Sequence, residues 1–357
     1  MTGQARRVRL CIRAVSNGEL PVNSVPAWRI AAQGHGLDCP QPNCTRNSAS
    51  LPMSDTKPLS GEAAAHDAVR EDSPPATSAR AMNNLVYQIF YSPETHAGLD
   101  SGFIPLDNTG QRPDWYEYWP IRNFLMRESL DENTRYGFLS PKFAGKTGLD
   151  SAQVMQFLSE TRDDVDVVTF SPFFDHSALF LNVFEQMKFL HAGSDEIIKQ
   201  ALELVVPGIE VDSIVMSTAS TIFCNYLVAK PAFWRRWLQK CELLFNLAED
   251  ESSQFGRLLS GDVKYDHKAA PAKVFLVERI ASLILGTEPR WKVRSFNGMK
   301  LPFSYNSPLM GNALDLVAMD ALKRAATETG HPEFLTAFFL MRASLLDRLA
   351  AQRAAQV

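Results

Sequence analysis

Glu278 and Arg279 stand side by side in an apolar stretch, VFLVERIASLILG, whose composition is typical of a buried helix. A carboxylate and a guanidinium are costly to bury unless both are hydrogen-bonded. Adjacent residues on a helix point about 100° apart, so the two side chains cannot both face one partner. We therefore expect Arg279 to be the structural member of the pair and Glu278 to face a cleft as a general base. The alternative is that both only tie this helix to a sheet.

Lys142 and Lys146 lie four residues apart, directly after the strand-like stretch YGFLSP. Two ammonium groups near the end of a strand could receive a diphosphate. The pair therefore indicates a phosphate site, and the alternative is two solvated surface lysines.

The stretch DNTGQRPDWYEYWPIRNFL mixes Trp and Tyr rings with carboxylates and amides. Aromatic faces beside such polar groups suit sugar rings and nucleobases. Asp107 and Asn108 open this stretch, and Tyr91 ends the strand-like LVYQIFY before it. All three are candidates for binding a ligand. The alternatives are an aromatic helix packed in a core and a simple turn at Asp107 and Asn108.

Several familiar sites are absent from the sequence. It contains no Walker loop, Gly-x-Gly-x-x-Gly, His-Glu-x-x-His or Gly-x-Ser-x-Gly motif. This disfavours P-loop ATPases, nicotinamide dehydrogenases, zincins and the common serine hydrolases. The five cysteines show no paired metal-ligand spacing, which favours free thiols in a cytoplasmic protein. A net charge of −4 gives no reason to expect nucleic acid as a partner.

Strand-like and helix-like stretches alternate after residue 82. The four clearest strands are LVYQIFYS, YGFLS, DVDVVTF and TIFCNYLVA. Alternation with helices predicts an α/β fold with a mostly parallel sheet, flanking helices and a helical C-terminal part. Ligands bind beyond the carboxyl ends of the strands in such sheets. Those ends are expected at Tyr91, Ser140, Ser171 and Ala229-Lys230.

The chain divides into three parts by composition. Residues 1–81 are poor in large apolar side chains and are expected to be a disordered extension. Residues 82–300 form the predicted α/β domain, and residues 301–357 the helical segment. No apolar run reaches the roughly 20 residues that span a bilayer. The apolar stretch FLTAFFLM near the C-terminus favours a homodimer or a peripheral membrane contact.

The order of these pieces resembles the capsular-polysaccharide and lipopolysaccharide glycosyltransferase-like family. The pieces that carry the resemblance are VYQIFY, LDNTG, WYEYWPIRNFL, YGFLSPKF, DVVTF, NVFEQMKFLH, NYLVAKPAFWRRWLQKCELLF and FLVERIASLIL. The resemblance implies a GT-A-like fold and transfer of a sugar from a nucleotide-diphosphate donor to a surface glycan acceptor. Tyr91, Asp107 and Asn108 would contact the donor, Lys142 and Lys146 its diphosphate, and Glu278 the acceptor hydroxyl. The protein would then be cytoplasmic, with peripheral contact at the inner face of the membrane left open.

The metal requirement stays open under this resemblance. Enzymes of the GT-A type often hold Mg²⁺ or Mn²⁺ with an Asp-x-Asp at a strand end. Asp164 and Asp166 have that spacing, but they precede the apolar run and belong to the start of a strand. We therefore predict no metal ligands, and expect Lys142, Lys146 or Arg122 to neutralise the leaving diphosphate. The competing hypotheses are a non-catalytic scaffold of the same fold in a glycan-assembly complex and an unrelated binding module.

Overall fold

The structure is a computed structural model that describes residues 82–265, 268–305 and 307–355, so the predicted disordered extension lies outside the described residues. The strands are β1 Asn83–Phe90, β2 Ile104–Asp107, β3 Thr134–Leu139, β4 Val167–Thr169, β5 Leu227–Ala229, β6 Asp262–Tyr265, β7 Lys268–Pro271 and β8 Val293–Ser295. The α-helices are α1 Pro93–Ala97, α2 Tyr118–Arg127, α3 Phe143–Thr147, α4 Ser151–Ser159, α5 Phe174–Leu179, α6 Val183–Leu190, α7 Asp195–Val205, α8 Pro231–Ala248, α9 Gln254–Ser260, α10 Ala272–Thr287, α11 Ala313–Thr329 and α12 Pro332–Ala354.

Six strands form the main sheet in the order β2-β1-β3-β5-β4-β8. β1 runs parallel to β2 and β3, and β4 runs parallel to β8. β5 pairs antiparallel with both β3 and β4. The predicted α/β class with a mostly parallel sheet is therefore confirmed. The strand β8, in the stretch KVRSF, was not predicted.

The direction of β5 corrects one expectation. The strand covers only three residues of the predicted TIFCNYLVA, and it runs against its neighbours. Ala229 and Lys230 therefore lie at the amino edge of the other strands, where Lys230 Nζ pairs with Asp166 at 3.1 Å. The beginning of β5, and not its end, reaches the carboxyl edge of the sheet.

Side chains of the sheet alternate between two cores. On β4 and β5, Val167 and Leu227 join one apolar cluster, while Val168 and Val228 join the other. This is the two-residue period of a sheet covered on both faces. Gly137 leaves room for the tight contact of β3 with β5, because a Cβ there would lie 2.7 Å from Val228 Cγ2.

Two helices close one face of the sheet behind its carboxyl edge. α8 begins with Pro231 at its first turn, which suits the fixed φ of proline. Its Trp234 and Trp237 are fully buried, and Trp234 Nε1 donates to the Tyr136 carbonyl of β3 at 2.8 Å. α10 is buried along most of its length beside α8. These helices form the wall on which the candidate site is built.

The helical C-terminal part packs on α5. Leu316, Met319, Phe338 and Leu345 of α11 and α12 share an apolar core with α5 residues. No helix within the described ranges is both long enough and apolar enough to cross a bilayer.

Candidate functional site

The carboxyl edge of the sheet collects unusual backbone. Five non-glycine residues adopt positive φ values in the described ranges: Arg112 (20°), Tyr116 (46°), Phe173 (63°), Cys224 (61°) and Asn225 (53°). They lie after β2, after β4 or before the antiparallel β5, so all belong to loops at this one edge. Non-glycine residues pay roughly 1–3 kcal/mol for such conformations, which cluster at functional sites. This edge of the sheet is therefore the candidate location of a functional site.

Lys146 lies at the centre of a polar cluster at this edge. It belongs to the short helix α3, which follows β3, and its Nζ lies 3.0 Å from Cys224 Sγ and 6.0 Å from the centre of the Tyr226 ring. The Tyr226 hydroxyl in turn shares a 2.7 Å hydrogen bond with Ser140. Burial alone would lower the pKa of Lys146, but Cys224, Tyr226 and Glu278 together raise it above its usual value. The side chain therefore presents a positive charge at neutral pH.

Glu278 faces this cluster from α10. Its charge acts on Lys146 and on Cys224. The side chain is partly buried, and its carboxylate makes no hydrogen bond or ion pair with the residues described by the structure. Burial raises the pKa of Glu278 above its ordinary value, and Glu117 adds to the rise, while Arg279 and Lys146 oppose it. A carboxylate of this kind is suited to act as a general base.

Arg279 points elsewhere and fastens α10 to α6. Its guanidinium donates to the Val183 carbonyl at 3.0 Å, to the Phe275 carbonyl at 2.7 Å and to Gln186 Oε1 at 2.7 Å. The side chain is 5% exposed, so these bonds satisfy a buried charge. The structure thus places the two neighbours in different surroundings, with Arg279 in the packing and Glu278 at the cluster.

Tyr91, Asp107 and Asn108 lie together at the ends of β1 and β2. The Tyr91 side chain is 49% exposed. Asp107 Oδ1 accepts from the Thr109 N–H at 2.7 Å, which makes an Asx turn, and hydrogen bonds from Thr109 lower the pKa of Asp107. Asn108 is buried, and its Oδ1 has no hydrogen-bond partner in the described parts of the chain. An unsatisfied buried acceptor is a place where a ligand N–H or O–H would be favourable.

The predicted residues thus form two groups on one edge. The charges of Lys146 and Glu278 act on each other, whereas Tyr91, Asp107 and Asn108 belong to neighbouring strands on the other side of β3. Lys142 lies between them just after β3, with an exposed side chain. Arg122, the third cation considered for the diphosphate, is instead held by Glu242 at 2.6 and 2.8 Å.

Sequence reasoning missed Cys224, Tyr226 and Glu117, whereas Ser140 was expected at the end of a strand. Cys224 and Tyr226 were assigned to a strand interior, but the positive φ values of Cys224 and Asn225 form a turn that aims this segment at Lys146. Asn tolerates that conformation better than other non-glycine residues, and this is the one local signal that the sequence offered. The Asn225 Oδ1 is a further buried acceptor without a partner among the described residues.

The residues present do not suit a resident divalent metal. The described part of the chain holds no group of three His, Cys, Asp or Glu side chains that could bind one. Asp164 and Asp166 lie at the amino edge, where Lys292 Nζ contacts Asp164 Oδ2 at 3.1 Å and Lys230 contacts Asp166. They serve as ion-pair partners at the edge away from the cluster.

Two concavities lie apart from the cluster. One of about 320 Å³ is lined by residues that include Ile214, Gly286 and Leu335, beside the end of α10. A much smaller one lies at the ends of β4 and β8 and is rich in hydroxyl groups, among them Ser171 and Ser295. Neither is lined by Lys146 or Glu278, so the cluster belongs to neither concavity.

Comparison with known proteins identifies no relative of this chain. No family model, no curated protein and no solved structure matches the chain.

Proposed function

We propose that the protein is a glycosyltransferase of GT-A-like fold that transfers a sugar from a nucleotide-diphosphate donor to a surface glycan of the capsule or lipopolysaccharide type. The observation that carries the proposal is Glu278, a partly buried carboxylate without a structural partner, beside the Lys146 ammonium. Both lie at the carboxyl edge of a mostly parallel sheet, where ligands of such sheets bind.

The donor would lie along the edge from β2 to β3. The exposed Tyr91 ring offers a face for the base or sugar, and the unsatisfied Asn108 Oδ1 offers an acceptor. Asp107 lies beside them with its carboxylate held in a turn. Lys142 and Lys146, one after β3 and one in α3, would receive the diphosphate.

In the proposed reaction, Glu278 acts on the acceptor hydroxyl, and the lysines act on the leaving diphosphate. Glu278 takes the proton of the acceptor hydroxyl as that oxygen bonds to the anomeric carbon of the donor sugar. The bond from the same carbon to the diphosphate breaks, and the leaving diphosphate gains negative charge. Lys146, whose positive charge is stabilised by its surroundings, interacts with that charge as it develops. Under this proposal the protein works in the cytoplasm, where nucleotide sugars are the donor pool.

Calorimetry with a panel of UDP-, GDP- and CMP-sugars tests the donor. We expect a UDP- or GDP-sugar, which carries a diphosphate, to bind and to be turned over when glycan acceptors are supplied. Glu278→Gln should abolish transfer and leave both donor binding and the melting curve close to those of the unchanged protein. Glu128→Gln, an exposed glutamate at the far end of α2, is the matched control. Absence of binding across the whole panel contradicts the proposal, and loss of folding in Glu278→Gln makes Glu278 structural.

A non-catalytic scaffold or binding module is the second candidate. It is favoured by large apolar side chains that remain exposed on the C-terminal helices, with Leu314 at 86% and Leu340 at 68%. Such side chains suit a homodimer or a peripheral membrane contact. Donor binding without any transfer, together with association through this surface, would support the scaffold.

A further inference from the structure

His176 is a part-buried histidine at the carboxyl edge of the sheet. It belongs to α5, the helix that follows β4. Three aromatic rings approach it, with centres between 5.8 and 6.3 Å from the centre of the imidazole: those of Phe173, Phe180 and Phe223. Phe223 directly precedes Cys224, whose thiol contacts Lys146. His176 therefore adjoins the turn that also contributes to the polar cluster.

Gln186 of α6 connects His176 to Arg279. The Gln186 side chain is buried, its Oε1 accepts from the Arg279 guanidinium at 2.7 Å, and its Nε2 lies 3.2 Å from His176 Nδ1. A guanidinium has donors only, so the amide oxygen has to face it. The opposite orientation of the amide would set N–H groups against N–H groups. We call these two hydrogen bonds, from Arg279 through Gln186 to His176, the relay.

The relay fixes the tautomer of His176. An amide nitrogen donates and does not accept, so His176 Nδ1 is the accepting nitrogen and the neutral ring carries its proton on Nε2. Protonation of the ring would place an N–H on Nδ1 against the amide N–H and break this bond. Burial also lowers the pKa of His176; Asp175 on its own helix opposes the shift, and Arg279 on α10 assists it. The ring is therefore neutral near pH 7.

The Nε2–H of His176 is left for a ligand. This nitrogen makes no hydrogen bond with the residues that the structure describes, and it is not sealed from solvent. The Asp175 carboxylate next to it in the chain already accepts from the Ser304 N–H and hydroxyl. A neutral N–H beside aromatic rings suits a sugar, which offers hydroxyl oxygens together with apolar C–H faces.

We propose that His176 is a further binding residue of the carboxyl edge, held by Gln186 and Arg279 so that it donates its Nε2–H to a hydroxyl oxygen of the glycan acceptor. Gln186 and Arg279 are positioning residues, because they act through His176. The donor is placed along β2 to β3, whereas His176 follows β4, on the other side of β5. The choice of the glycan acceptor as ligand rests on the proposed function, and the tautomer does not.

Imidazole NMR tests the tautomer without any substrate. Two-bond ¹H–¹⁵N spectra of the full-length protein, labelled with ¹⁵N-histidine, show which ring nitrogen carries the proton. The signals that disappear in His176→Phe identify His176 among the seven histidines of the chain. We expect a proton on Nε2 and none on Nδ1 from pH 6 to pH 8. A proton on Nδ1, or titration at the ordinary pKa of about 6.5, overturns the inference.

Gln186→Glu tests the relay. Its carboxylate still accepts from Arg279 but accepts from His176 as well, so Nδ1 should gain a proton and the ring should titrate at least about one pH unit higher. Gln239→Glu is the matched control, because Gln239 is exposed and its Oε1 accepts from Arg236 at 2.7 Å. Should Gln186→Glu not fold, Gln186→Met replaces it and should release the fixed tautomer. His176 signals that match those of Gln239→Glu contradict the relay.

The same signals report binding. The glycan acceptors of the transfer assay, or neutral disaccharides of glucose, galactose or mannose, should move the Nε2–H resonance of His176. His176→Phe should lower kcat/KM for the acceptor by about tenfold and leave the Kd of the nucleotide sugar within about twofold. His176→Gln, which keeps an N–H near the position of Nε2, should lose less.

The outcomes separate this inference from the proposed function. A resonance that none of these sugars moves overturns the inference, even in a protein that transfers sugar. A resonance that moves in a protein that binds no nucleotide sugar keeps His176 as a sugar-binding residue and removes the glycosyltransferase. Equal kcat/KM for the acceptor in His176→Phe and the unchanged protein also overturns the inference.

Discussion

At the scale of single residues, the charged side chains divide into those that form hydrogen bonds within the fold and those that do not. Arg279 and Arg122 are both held by several hydrogen bonds within the fold. Glu278 is not held in this way, although it is partly buried and burial raises its pKa. A fold gains nothing from a desolvated carboxylate without a partner. Such residues are therefore better explained by a ligand than by stability.

The two lysines should differ in their effect on donor binding. Lys146 is partly buried in a cluster, whereas Lys142 is exposed and its charge is screened by solvent. We expect Lys146→Met to weaken binding of the nucleotide sugar by at least about tenfold, or about 1.4 kcal/mol. Lys142→Met should cost clearly less. Calorimetric Kd values for the two variants check this, and equal losses would assign both lysines the same role.

The sequence could predict part of this site. Lys142, Lys146 and Glu278 were found because each follows or interrupts an apolar run. Glu117 was hidden in the aromatic stretch WYEYW, where no local pattern separates it from a solvated helix residue. Its position depends on ion pairs between the preceding loop, residues 108–117, and residues more than 100 positions away, such as the bond from Arg112 to Glu249. Contacts of that range have no signature in a single sequence.

At the scale of elements, β5 also has a feature that the sequence alone does not predict, which is its direction. Its apolar composition predicted a strand, but composition does not carry direction. The direction follows from the turn at Cys224 and Asn225 and from pairing with β3 and β4 on either side. The predicted class of fold is therefore confirmed, whereas the end of β5 lies at the amino edge of the sheet and not at the carboxyl edge.

The contact of α11 with α5 should make stability depend on pH. Lys323 is fully buried and its Nζ donates to the carbonyl oxygens of Ser177 and Phe180. Burial lowers the pKa of Lys323 to about 7, although Asp320 and Glu185 oppose the shift and Arg342 assists it. Between that value and about 10.4 the unfolded chain binds more protons than the folded one. Stability therefore rises with pH in this range, by at most about 1.4 kcal/mol per unit.

Urea unfolding at pH 6, 7, 8 and 8.5 measures this dependence. The free energy of unfolding should be flat below pH 7 with respect to this group and should rise above it. Lys323→Met should remove the rise, while Lys300→Met, at an exposed position, should keep it. An unchanged slope in Lys323→Met would show that another group is responsible.

At the scale of the whole molecule, the C-terminal helices belong to the packing of the chain. Phe338 and Leu345 of α12 are fully buried in a core shared with α5 and α11. Arg342 Nη1 also bonds to Glu185 of α6 at 2.8 Å. A test for a partner-binding surface on α12 therefore has to leave the packing of this helix intact.

Removal of residues 332–357 should destabilise the protein. Loss of one buried Phe side chain costs about 3–5 kcal/mol, and the truncation removes more than that. We expect a markedly lower melting temperature by circular dichroism and aggregation on size exclusion. Leu340→Gln, at a position that is 68% exposed, should keep the melting curve and change only the oligomeric state. A truncated protein that melts like the full chain would make α12 a removable appendage.

The five positive φ values at one edge of the sheet also have a practical consequence for anyone who modifies this protein. Glycine adopts these angles freely, so exchanging the exposed Tyr116 for glycine would remove a local backbone cost of roughly 1 kcal/mol, whereas Phe173 also packs against His176 and Phe223 and would lose those contacts. Relief of strain at Tyr116 would therefore loosen one of the loops that shape the site, and the binding edge would be less sharply defined.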